Sequence, residues 1–299
     1  MNPDDPTRRA IPAHVLRGFA MGSADVVPGV SGGTIALVLG IYPRLVAAVG
    51  DLSGAAGLIL RGQVRAGLGR IRAADWLLLI PLVVGALAAV VTLARVLEHL
   101  LEDEPIAMAG LFFGLVSASA LVGWWYVREP AARHVLIAAI VAVVAFLVLG
   151  IRTSEVTDPP LWVIPLAASI AICAMILPGI SGSFLLLMMG LYEFILESVN
   201  ERRLAVIGLL ALGSLIGLGL FSTLLNRLLA RHHDVVMAAL VGLMVGSLRV
   251  LWPWPDGTET ANLAAPEGGL LAPIALAIAG AVAVLMFGIH DRRRRDRID

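Results

Sequence analysis

Lysine is absent from this 299-residue chain, in which all 22 basic side chains are arginine. That excludes a Walker A loop, a Schiff-base lysine and lysine-dependent phosphatase signatures together. Cysteine occurs once, as Cys173 inside an apolar run, so neither an internal disulfide nor a cysteine metal cluster can form, and the residue reads as packing. The six histidines lie mostly at the ends of apolar runs, without H-E-x-x-H spacing, and read as interfacial. No cofactor and no metal ion is expected. Charged residues make up only 15% and sum to a formal charge of zero, and no nucleic acid partner is expected. A cleavable leader is not expected either: residues through Arg9 are polar, and Arg17 and Asp25 break the next apolar stretch.

What the chain has in abundance is apolar length. Hydrophobic residues are 59% of the total, mean hydropathy is +0.91, and apolar runs reach about 20 residues, the length of a membrane-crossing helix. A multi-spanning helical membrane protein follows.

One short motif occurs twice. Val27-Pro28-Gly29-Val30-Ser31-Gly32-Gly33-Thr34 returns as Leu177-Pro178-Gly179-Ile180-Ser181-Gly182-Ser183-Phe184, and each copy leads into an apolar run closing with Gly40 to Tyr42 or Gly190 to Tyr192. Pro-Gly interrupts a helix, and the serine caps the helix that restarts, so each copy predicts helix, break, helix. The restarting end exposes unpaired N–H groups and the positive end of the helix dipole, a seat for an anion.

The first arm, from His14 to Pro28, has about 14 residues, roughly 21 Å of helix, against a hydrocarbon core of ~30 Å. A re-entrant hairpin is therefore expected over 14–49. Residues 51–75, with Arg61, Arg65, Arg70 and Arg72, read as a basic segment on the cytoplasmic surface. Three spans follow, at about 76–97, 106–127 and 134–151. The scheme then repeats, with a hairpin over 161–199 and spans at about 204–226, 235–251 and 270–289. Gly85, Arg95, Gly110 and Gly114 match Gly217, Arg227, Gly242 and Gly246 at one offset, and Ala145, Leu147, Gly150 and Ile151 match Ala283, Leu285, Gly288 and Ile289 at another.

Three spans per half is an odd number, so the second copy is expected to be inverted. The sequence thus predicts an all-α integral membrane protein of two inverted repeats, each a re-entrant helical hairpin plus three transmembrane helices. Repeat 1 covers 14–151 and repeat 2 covers 161–290, between a cytoplasmic tail at 1–13 and an arginine-rich cytoplasmic tail at 291–299. With both termini inside, the arginines at 61–72, 128, 133, 227, 231 and 292–295 all face the cytoplasm. The acidic loops at 98–104 and 256–267 face outward, as positive-inside bias requires.

The two breaks then place Ser31, Gly32, Gly33 and Thr34 opposite Ser181, Gly182 and Ser183 near the midplane, where backbone and hydroxyl donors can converge on one anion. The plain alternative is that these small residues only let the hairpins pack. Asp25, with Met175 at its place in the second copy, reads equally as an arginine's partner, a proton carrier, or an acceptor for its own broken backbone. Trp124, Trp125, Trp252 and Trp254 read as interfacial anchors.

The stretch Gly22-Ser-Ala-Asp25-Val-Val-Pro-Gly-Val-Ser-Gly-Gly-Thr34, taken with Pro178-Gly-Ile-Ser-Gly-Ser183, resembles a bacterial membrane family once labelled only as a domain of unknown function and now described as polyprenyl-phosphate transporters. The resemblance covers nearly the whole chain. It implies a non-enzymatic carrier in the bacterial cytoplasmic membrane that returns undecaprenyl phosphate across the bilayer, with membrane lipids as its surroundings. On that reading Arg95 and Arg227 either snorkel to the headgroups or guide the lipid phosphate, and Arg17 and Arg44 flank the first hairpin as weaker candidates. A small-anion channel or transporter and a membrane lipid phosphatase are the alternatives. Oligomeric state, a homo-oligomer included, stays open.

Overall fold

The computed structural model describes residues 6–25, 31–151, 153–255, 257, 263–267 and 269–295. Pro28 and Gly29 of the first break, Asp256 of the acidic loop and residues 296–299 of the arginine-rich tail lie outside them. Every regular element among the described residues is a helix. The first half holds α1 (Pro6–Asp25), α2 (Gly32–Val38), α3 (Tyr42–Leu60), α4 (Val64–Ala73), α5 (Trp76–Asp103), α6 (Pro105–Trp124) and α7 (Ala132–Val148). The second holds α8 (Val163–Ile176), α9 (Gly182–Met188), α10 (Tyr192–Asn200), α11 (Leu204–Arg231), α12 (His233–Ser247) and α13 (Leu271–Arg295).

Four of these, α5, α6, α11 and α13, are long and apolar enough to cross a membrane, and α9 with α10, bent by 113°, makes a fifth candidate if the pair counts as one span. The apolar helices α7, α8 and α12 are shorter. The chain is a multi-pass helical membrane protein. One boundary moves: α1 begins at Pro6, inside the expected tail, because proline is well suited to a helix's first turn. At 20 residues α1 measures about 30 Å, so the arm is longer than its apolar part.

Helix association in lipid lacks a hydrophobic drive and depends on close backbone approach. The matched glycines supply it. A Cβ on Gly85 of α5 would stand 2.0 Å from the Val15 carbonyl oxygen of α1, and one on Gly217 of α11 would stand 2.6 Å from that of Ser169 in α8. Gly114 of α6 is pressed in the same way against Ala277 of α13, and Gly246 of α12 against Ala142 of α7. Corresponding positions therefore make corresponding contacts: α1 with α5 as α8 with α11, and α6 with α13 as α12 with α7. The last two pairs each join one half to the other.

The largest buried cluster lies between α2, α3, α6, α11 and α12, around Leu37, Tyr42, Val116, Met237 and Met244. In α6, 67% of the spanning window is buried, against 17% in α11, so α6 is central and α11 turns its leucines outward. The segment α4 packs on α3 with its arginines exposed, and Arg70 pairs with Asp51 at 2.8 Å. Trp252 and Trp254 hold a loop: their indole N–H groups donate to the carbonyls of Ala264 and Glu267, both at 3.0 Å.

Candidate functional site

The first break is built around Ser31, the N-cap of α2, whose extended backbone turns its Oγ to accept from Gly33 N–H at 3.0 Å. The same hydroxyl donates to the Met175 carbonyl at 2.9 Å, near the end of α8. Gly32 N–H donates to Asp25 Oδ1 at 2.6 Å, so the chain's own carboxylate sits at the positive end of α2. Asp25 thus accepts from the backbone of its own hairpin.

Thr34 is fully buried, and its Oγ1 accepts the N–H of Gly179 at 2.8 Å. Gly179 has φ +93°, and a Cβ there would stand 2.8 Å from Met244 Cα, so both conformation and space demand glycine. A Cβ on Gly33 would likewise approach the Ile176 carbonyl oxygen to 2.7 Å. The two breaks therefore touch, through Ser31, Gly33 and Thr34 on one side and Met175, Ile176 and Gly179 on the other.

Beside this contact lies a cavity of about 140 Å³ lined by Asp25, Gly32, Gly33, Tyr42, Met175 and Ser222, among others. Tyr42 is 1% exposed, and its hydroxyl has no hydrogen-bond partner among the described residues. An unpaired buried hydroxyl costs about 1–3 kcal/mol, which a bound polar group or water would offset. Tyr42 was legible only as the residue that closes the first of the two repeated apolar runs, as Tyr192 closes the second.

The second break faces elsewhere. Ser181 N-caps α9 in extended conformation, and its Oγ lies 2.7 Å from that of Ser183, while Gly182 packs on Ala171 and Met175. None of these three lines the cavity. The arginines also stand apart from it. Arg17 Nη1 lies 3.0 Å from His14 Nδ1, and Arg227 is exposed on α11. Arg44 clasps Asp75 through Nε and Nη2 at 2.6 and 3.0 Å, and those hydrogen bonds hold the Asp75 carboxyl below the usual carboxylate range. The side chain of Arg95 lies outside the described residues.

The arrangement gathers one carboxylate, two backbone amides already paired with Asp25 and Ser31, and a tyrosine around one cavity where the two helix breaks meet.

Residues 21–267 match the family described as undecaprenyl phosphate translocase-like. Among curated relatives, a polyprenyl-phosphate transporter of Vibrio cholerae serotype O1 is 38% identical over 246 residues, covering 81% of this chain and 77% of the relative. A polyprenyl-phosphate transporter of Staphylococcus aureus is 28% identical over 257 residues, covering 80% of this chain and 86% of the relative. No solved structure matches the chain.

Proposed function

The chain belongs to the undecaprenyl phosphate translocase-like family, and on that premise we propose that it carries a polyprenyl phosphate, with undecaprenyl phosphate as the expected cargo, across the bacterial cytoplasmic membrane for reuse in cell-envelope synthesis. The observation that carries this reading is the buried Tyr42 hydroxyl, without a partner among the described residues, on a residue that lines one cavity with Asp25 and the glycines of the first break. A phosphate headgroup bears about −1.5 to −2 charges, and even one charge at the bilayer centre costs at least ~2.5–3.5 kcal/mol. Fixed donors at a dry midplane site lower that barrier, while the isoprenoid tail stays in lipid.

The headgroup enters between the two Pro-Gly-x-Ser-Gly tips, with Tyr42 O–H as donor, joined by the amides of Gly32 and Gly33 once these leave Asp25 and Ser31, on which they are spent in the conformation seen. In the conformation seen, Ser31 and Thr34 are spent on the contact between the tips, and Ser181 and Ser183 on each other. Their part in binding belongs to a state in which the tips have separated. Asp25 and a phosphate repel if both are charged in one cavity, so the carboxyl takes up a proton when the lipid binds, and this couples transport to protons.

The two halves form inverted repeats whose hairpins enter from opposite faces. What supports this is the repeated pattern of helix pairs together with the charge: α4 and the last turn of α13 carry arginines, whereas Glu102, Asp103 and Glu104 gather at the end of α5. Both termini are then cytoplasmic. The protein is a carrier rather than an enzyme. Transfer of undecaprenyl phosphate between leaflets of vesicles tests the proposal. Anion flux in vesicles without that lipid would favour a small-anion channel, and release of its phosphate by pure protein would favour a phosphatase.

A further inference from the structure

A second cavity, of about 370 Å³, lies at the other end of the interlocked helix pairs, bounded by Phe113 of α6, Phe146 of α7, Leu248, Arg249, Trp252 and Leu263. It opens outward, since Phe146 and Leu263 on its wall are 38% and 46% exposed. All but one of these side chains are apolar or aromatic. The exception is Arg249, just past the end of α12, whose guanidinium carbon stands 4.7 Å from the centre of the Phe146 ring.

Space for this guanidinium is made by Gly150: a Cβ there would lie 2.5 Å from Arg249 Nε and 2.7 Å from Nη2. Trp252 completes the wall, packed edge to face on Phe113 and fixed by its bond to the Ala264 carbonyl. A merely structural arginine, closing the C-terminal end of α12 and stacking on Phe146, would leave the neighbouring space unexplained. The feature is also one-sided. At the offset that pairs Gly114 with Gly246, the residue matching Arg249 is Ser117, so the other half has no such cation.

We infer that this cavity is a loading site for an isoprenyl monophosphate, with Arg249 holding the phosphate and Phe113, Phe146, Trp252 and Leu263 covering the first isoprene units. The chemistry sets the class. An apolar wall with one guanidinium at its end fits an anion joined to a hydrocarbon tail; free phosphate has no use for the aromatic wall, and a neutral polyprenol has none for the arginine. The inference rests on the carrier reading for the direction of use. With both termini inside, the cavity lies on the outer side, where a spent lipid phosphate would be collected.

The test uses the full chain in nanodiscs and an isoprenyl monophosphate bearing a photoreactive group on its tail, with the adducts mapped by mass spectrometry. Adducts are expected on the peptides carrying Phe113, Phe146 and Leu263. Unlabelled polyprenyl phosphate should suppress them, while inorganic phosphate, polyprenol and phosphatidylglycerol should compete at least about tenfold less well. R249Q should lower labelling by about tenfold or more, the scale of a lost charge-assisted bond. L263E, at an exposed rim position, should do so by repulsion with little effect on folding. Labelling of both variants equal to that of the unsubstituted protein, or suppressed as well by phosphatidylglycerol, overturns the site. Adducts that persist in a variant unable to move lipid between leaflets support the site even where the carrier reading fails; leaflet transfer without adducts overturns the site alone.

Discussion

Thr34 and Gly179, 145 residues apart, are joined by one hydrogen bond, the Gly179 N–H donating to Thr34 Oγ1 at 2.8 Å in a fully buried setting. It ties the restart of the first broken helix to the break of the second. A contact of this kind fixes how far apart the two tips stand.

Thr34→Val keeps the shape and removes the acceptor, leaving a buried N–H unpaired. A loss of about 1–3 kcal/mol is expected in detergent unfolding, with Thr34→Ser restoring most of it. A Val variant as stable as the parent would show that the tips are held by packing alone.

Tyr42→Phe separates ligand binding from folding. Since the Tyr42 hydroxyl has no partner among the described residues, its removal should leave stability unchanged or slightly raised. Affinity for the lipid phosphate should fall about tenfold, the scale of a hydrogen bond to a charged group. The reverse pattern, lower stability with unchanged affinity, would remove Tyr42 from the site.

Asp25→Asn retains an oxygen for the Gly32 amide and cannot ionise. If Asp25 carries the proton, the variant should still bind lipid phosphate, and its transport should no longer respond to the proton gradient. Gradient-driven transport by a stable Asn variant would assign the carboxylate to the backbone alone.

Topology is open to labelling with an impermeant thiol reagent in a Cys173→Ser background. Gly69 of α4 has open space around its Cα and Ala265 is exposed, so cysteine fits at both. Labelling from opposite sides is expected. Labelling of both from the same side would exclude the inverted arrangement.

Much of this architecture could be read from the residues, because apolar length and the spacing of glycines are local signals. Gly85 and Gly217, or Gly114 and Gly246, match in sequence and pack alike in space. The start of α1 is not legible in the sequence, since its first turns are polar and proline-bearing, as a tail's would be. The Pro-Gly breaks were legible, but not the second interruption of each copy, at Gly40 and at Gly190, where positive φ ends a short helix, nor the relation of the breaks: nothing in Ser31 reveals that it donates to Met175 instead of pointing at a ligand. Nothing in the sequence marks Arg249, and Tyr42 is marked only as the close of an apolar run, since an aromatic or an arginine near a helix end is ordinary until the space beside it is known.

The most direct measurement is the rate at which undecaprenyl phosphate changes leaflet in vesicles holding the purified protein, with a proton gradient supplied. The account predicts faster exchange than in empty vesicles, weak competition at most by inorganic phosphate, no movement of neutral undecaprenol, and a rate about tenfold lower with Tyr42→Phe. Exchange by the folded protein no faster than in empty vesicles would contradict it.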